Sequence, residues 1–164
     1  MKTMVYPKLF VGNQQDYENG TFTDDYSFVL AAKEPFHRAT LQYTGRAADK
    51  TDPEYLFARR DNKLILNLVD APKPEFFDKR IIDTALEFID EQLNAGRNVM
   101  IVCNQGESRS PSIAMLYIAT KCLSEVGGVK FVDYEAVFMN TYPSYNPGAG
   151  IRAFMKQHWN EYVK

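Results

Sequence analysis

The apolar run Val99-Met100-Ile101-Val102 ends on Cys103, and the polar stretch Asn104-Gln105-Gly106-Glu107-Ser108-Arg109-Ser110 separates it from a second apolar run, Pro111 to Ile118. The first run reads as a buried strand. The second, longer and opened by a proline suited to a first helical turn, reads as a buried helix. A loop between two buried elements has little freedom, and this one can turn its backbone N–H groups inward while the helix adds the positive end of its dipole. Such a hinge suits a dianion, with Cys103 beneath it. The same field favours thiolate over thiol, and the planar fork of Arg109 can grip two oxygens.

Other runs place this hinge in a larger frame. Leu9 to Val11, Phe28 to Ala31 and Leu64 to Val69 are short and apolar, as buried strands are. Between the last of these and Val99, the residues Ile81, Ile82, Ala85, Leu86, Ile89 and Leu93 recur at helical spacing, with Asp78 as N-cap and Gly96 as stop. A strand, helix, strand unit makes its strands parallel, so Val69 and Val102 end on one sheet edge, where open α/β sheets hold ligands. Three further helices are expected, over about 109–123, 133–142 and 148–163. The expected fold is α/β, three-layered, with a central, mostly parallel sheet of four to five strands flanked by helices.

The chain has 164 residues, enough for one domain spanning 1–164 with its own core. Its two cysteines make no disulfide framework, and the N-terminus lacks the apolar region of a signal peptide, so a cytoplasmic location is expected. A net charge of −2 offers no general attraction to nucleic acid or membrane, and any affinity for phosphate must be local.

Cys103, five residues and then Arg109, with Gly106, Ser108 and Ser110, resembles the phosphate loop of the cysteine-based protein phosphatases, in their compact dual-specificity branch. On composition, the four positions after the cysteine match by chance on the order of once in 10^5. Lys8 to Asn13, Phe28 to Ala32, and Asn146-Pro147-Gly148 followed by Ile151 are similar to other parts of that branch, so the resemblance runs nearly end to end. It implies the branch's three-layer fold and a phosphomonoester hydrolase acting on phosphotyrosine, with or without phosphoserine and phosphothreonine. The substrate would be a phosphorylated protein or peptide, with no cofactor or metal; the oligomeric state is left open, a monomer being the expectation. One position departs: the branch usually carries His where this chain has Val102. A catalytically weak binder of phosphorylated partners is therefore an alternative, and a phosphoinositide or RNA 5′-triphosphate phosphatase is another.

Attack by a thiolate on a phosphate ester needs a proton for the departing oxygen. Asp70 is best placed to give it, at the end of the Leu64–Val69 run and before the proline-stiffened Ala71-Pro72-Lys73-Pro74, and it matches the branch's general acid by position. Glu75 is the second choice. Ser110 can donate its hydroxyl to the sulfur. Asn104, Gln105, Gly106, Glu107 and Ser108 are expected to bind phosphate through backbone N–H groups, with the Glu107 carboxylate turned away. Cys122 and His158 read as packed residues and His37 as a surface one. Residues 33–62, rich in Arg and Tyr, read as a largely solvated segment near the pocket rim.

Overall fold

The computed structural model describes residues 2–163. Side-chain alternation along its strands accounts for the architecture. In β2 (Leu9–Asn13), β3 (Tyr26–Leu30), β5 (Lys63–Leu66) and β6 (Asn98–Cys103), the residues Leu9, Val11, Val29, Leu64, Leu66, Val99 and Ile101 face one side of a sheet. There they pack against α3 (Lys79–Asn94), α4 (Arg109–Cys122), α5 (Phe131–Thr141) and α6 (Ala149–Tyr162). The intervening Phe28, Leu30, Ile65, Met100 and Val102 face the other side with Ala32, Phe36 and Ala58. That second layer is thin. It is made by α1 (Gln14–Asn19), α2 (Arg38–Leu41) and aromatic rings such as Tyr17 and Phe22, whose centroids lie 5.0 and 4.9 Å from that of Phe28.

The sheet has six strands in the order β1-β2-β6-β3-β5-β4, with β1 (Thr3–Tyr6) and β4 (Phe57–Arg60) at its edges. The inner pairings are all parallel and the edge pairings antiparallel. Four to five strands were expected, and the edge strands account for the difference. Half-exposed strands carry little apolar pattern, and β4 ends on the exposed Arg59 and Arg60, charges that discourage pairing with another chain. The strand expected over 64–69 stops at Leu66. The next residues leave the ladder because the Leu68 carbonyl is claimed by the N–H of Lys33 and by the Arg109 guanidinium.

The helices follow the expected boundaries closely. Asp78 caps α3 by accepting from the Arg80 N–H, and Gly96 follows with φ +80°. Helix α4 is buried from Ser110 to Ala119, but its last turn emerges, so Cys122 is exposed and not the core residue expected.

His37, expected at the surface, is fully buried. Its Nε2 lies 2.9 Å from the Glu54 carbonyl and its Nδ1 3.0 Å from the Tyr43 hydroxyl, an arrangement that fits a neutral ring donating from Nε2 and accepting at Nδ1. Burial holds its pKa below the usual histidine value. A histidine with a depressed folded-state pKa adds stability that is present above the unfolded value, about 6.5, and is lost as pH falls below it. Thermal melts at pH 7.5 and about 5.5 should therefore show the protein losing stability on acidification, by more than His37→Gln does. Equal losses in both would refute this role of His37.

Candidate active site

Cys103 closes β6 opposite Asn13 of β2 and is 2 % exposed. The chain then has to turn back into α4 within a few residues beneath the end of β2, and Gly106 makes the turn possible. It has φ +72°, and a Cβ there would sit 3.2 Å from the Gly12 carbonyl carbon and 3.3 Å from Asn13 Cβ. Only glycine satisfies both the left-handed backbone and the close approach.

The turn's carbonyls are held from outside. Asn104 O accepts from the Gln14 N–H at 3.3 Å, Glu107 O from the Asn146 N–H at 2.7 Å, and Gly106 O from the Tyr142 hydroxyl at 2.6 Å. In a trans peptide the N–H points opposite the C=O. The N–H groups of Gln105, Glu107 and Ser108 therefore face away from those three partners, as a cradle requires. Ser108 begins α4 without capping it, because its Oγ accepts from the Gly148 N–H at 2.8 Å. The positive end of a fourteen-residue helix is left to whatever the loop holds.

Cys103 Sγ lies 3.1 Å from Ser110 Oγ, and both residues are buried. Arg109 donates from Nη1 to Leu68 O at 2.9 Å and from Nη2 to Asn104 Oδ1 at 2.5 Å, while its buried Nε–H has no acceptor. Asn104 is itself fixed by donating to Gln14 Oε1 and Glu34 O. A guanidinium held by its ends with one buried donor unspent is suited to an incoming anion.

Asp70 stands two residues beyond Leu68, whose carbonyl holds Arg109, and its carboxyl lies against Gly148, the residue bonded to Ser108. Cys103, Arg109, Ser110 and Asp70 are thus gathered around one turn. Gln105 and Glu107 are exposed, so the Glu107 carboxylate faces solvent while its backbone belongs to the loop. Glu75 lies farther along, in a groove of about 570 Å³ that also takes in Lys33, Tyr55, Val69 and Phe76. The arginines expected near the rim are mostly engaged elsewhere: Arg38 with Glu34, Arg59 with Glu91 and Arg60 with Glu54.

Sequence reasoning missed Gln14 and Tyr142 as outer supports, and it marked the turn from Asn146 to Gly148 without seeing that it holds the loop. Asn13 and Asp16 form a capping box, which was a legible sign of a helix starting at Gln14. Nothing local marks Tyr142, which is buried at the end of α5. Burial, with Cys103 and acidic groups nearby, pushes its pKa up to about 12, so its hydroxyl keeps its proton and remains a donor near neutrality.

No known family pattern and no curated protein matches this sequence. Solved structures do. The human tyrosine phosphatase-like serine/threonine/tyrosine-interacting protein superposes with a TM-score of 0.65 at 20 % identity, covering 98 % of this chain and 97 % of that one. OH1 from the Orf virus, a tyrosine phosphatase, gives 0.63 at 14 % identity over 99 % and 86 %. Human DUSP28 gives 0.59 at 14 % identity over 98 % and 93 %. The chain has the fold of the dual-specificity phosphatases.

Gly106→Ala tests the turn directly. A side chain at a left-handed residue costs about 1–2 kcal/mol, and here it also meets Gly12. Urea unfolding should show a loss of at least that size, and calorimetric titration should show weaker binding of inorganic phosphate. Wild-type stability and phosphate affinity in the variant would contradict the role given to Gly106.

Proposed function

We propose that this protein is a cysteine-dependent phosphomonoester hydrolase of the dual-specificity kind, acting on phosphorylated protein or peptide. The observation that carries the reading is Arg109: its buried Nε–H lacks an acceptor at the rim of a turn whose floor is the Cys103 thiol. A structural arginine would have spent that donor.

In the first step the Cys103 thiolate attacks phosphorus. The S–P bond forms as the ester P–O bond breaks, and the electron pair passes to the ester oxygen, which takes the proton of the Asp70 carboxyl. Arg109 and the N–H groups of Gln105, Glu107 and Ser108 hold the other phosphate oxygens, whose charge they stabilise better in the transition state than in the ground state. In the second step Asp70, now a carboxylate, takes a proton from water. The water oxygen bonds to phosphorus, the S–P bond breaks, and the thiolate leaves with the Ser110 hydroxyl donating to it. Inorganic phosphate departs and the starting protonation is restored. Neither step needs a metal or an organic cofactor.

The same cradle would also suit a protein that holds phosphorylated partners without turnover, and Val102 is the feature favouring that second reading. Its side chain is fully buried in the apolar layer on the far face of the sheet, with Leu30, Ile65 and Met100, so it gives the loop no polar support.

Turnover decides between the two. The wild type should hydrolyse para-nitrophenyl phosphate and Cys103→Ser should not, while Cys103→Ser still binds a phosphopeptide. Asp70→Asn should lower kcat for phenyl phosphate, a poor leaving group, by roughly 10²- to 10⁴-fold and much less for para-nitrophenyl phosphate. Binding without wild-type turnover would favour the holding protein. Equal slowing of both esters would move the acid away from Asp70.

A further inference from the structure

The segment joining α5 to α6 touches both halves of the site. Toward the turn it supplies the Tyr142 hydroxyl, the Asn146 N–H and the Gly148 N–H, bonded to Gly106 O, Glu107 O and Ser108 Oγ. Toward the Asp70 segment, it and the first turn of α6 present two residues with no side chain. A Cβ on Gly148 would lie 2.6 Å from Asp70 Oδ1 and 3.2 Å from its Cγ. One on Gly150 would lie 2.0 Å from Ala71 O and 2.8 Å from Lys73 N.

Backbone conformation does not call for either glycine. Gly148 has φ −64° and ψ 154°, open to any residue, and Gly150 lies inside α6, where glycine costs roughly 0.5–1 kcal/mol relative to alanine. What they provide is close approach. The segment is also braced at its base: Tyr145 donates to the buried Glu135 of α5 at 2.8 Å, and Arg152 of α6 grips both oxygens of the same carboxylate at 2.8 and 2.9 Å.

We infer that residues 142–150 form a bracket fixing the distance between the Asp70 carboxyl and the Cys103 thiol, with Gly148 and Gly150 as the notch in which the acid-bearing segment sits. Gly148 is a positioning residue: it reaches no substrate but decides where Asp70 stands. The inference rests on the phosphatase reading above, with Asp70 as the acid.

Gly148→Ala tests it. The backbone accepts alanine and the Gly148 N–H still bonds Ser108, so the new methyl group acts on the movable Asp70 carboxyl. The loss in kcat/KM should be roughly 10- to 100-fold for phenyl phosphate, the scale expected for a misplaced catalytic group, and within about 3-fold for para-nitrophenyl phosphate, whose oxygen leaves without a proton. In an Asp70→Asn background the same substitution should add almost nothing, since coupled residues are not additive. Gly150→Ala, which presses on the backbone of Ala71 and Lys73, should show the same selectivity and serves if Gly148→Ala does not fold. Equal slowing of both esters, no slowing, or full additivity with Asp70→Asn overturns the bracket. If Asp70→Asn is selective and the glycine variants are not, the bracket fails and the acid stands. If Asp70→Asn itself shows no selectivity, the acid assignment fails and the bracket with it.

Discussion

The turn from β6 into α4 joins two buried elements, and carbonyls on its packed side need partners from the protein. Its carbonyls find them on the outside, at Gln14, Tyr142 and Asn146. Because a peptide unit is rigid, fixing the carbonyls also fixes the N–H groups, and the N–H groups are what could bind an anion. Much of the surrounding structure is arranged to make this possible. Helix α1 must start where β2 ends to bring Gln14 to Asn104, α5 must end where Tyr142 reaches Gly106, and glycine must stand at 106. Foldedness and the candidate chemistry therefore depend on the same hydrogen bonds.

The hinge was legible in the sequence because its parts are contiguous: a thiol after an apolar strand, a polar loop with one glycine, and an arginine opening a buried helix. The inner strands and α4 were legible as continuous apolar runs because they are buried all round, and α3 because its one buried face imposes a helical period. Edge strands escaped because each is four residues long and almost unburied: no residue of β1 and only Ala58 of β4 is buried, so neither shows a run or an alternation. The short helix α1 spans fewer than two turns and shows no period. His37 was misjudged because a polar residue in a polar segment gives no hint that Tyr43 and Glu54 will close over it, and Cys122 because an apolar helix can still end in solvent. The supports for the turn come from residues 14 and 142–148, far along the chain, and no local pattern ties them to Cys103. Gly148 read as part of a turn before the last helix, and nothing marked Gly150. Their closeness to Asp70, Ala71 and Lys73 exists only in the folded chain.

Val102 belongs to the same logic. Alternation along β6 sends Cys103 and Ile101 to one face of the sheet and Val102 to the other, where an apolar layer excludes water. With no polar group at that position, the thiolate would depend on the loop N–H groups, the Ser110 hydroxyl and the end of α4. The outer hydrogen bonds from Gln14, Tyr142 and Asn146 then take on the ordering that a polar neighbour would otherwise share.

Covalent chemistry at Cys103 is the central claim, and trapping the intermediate tests it most directly. The wild type mixed with a phosphate ester labelled on phosphorus, quenched in denaturant within milliseconds and digested, should carry the label on the peptide containing Cys103, as a cysteinyl S-phosphate that iodine cleaves. Turnover with the label on another residue, or with no labelled enzyme at any quench time, would contradict the account.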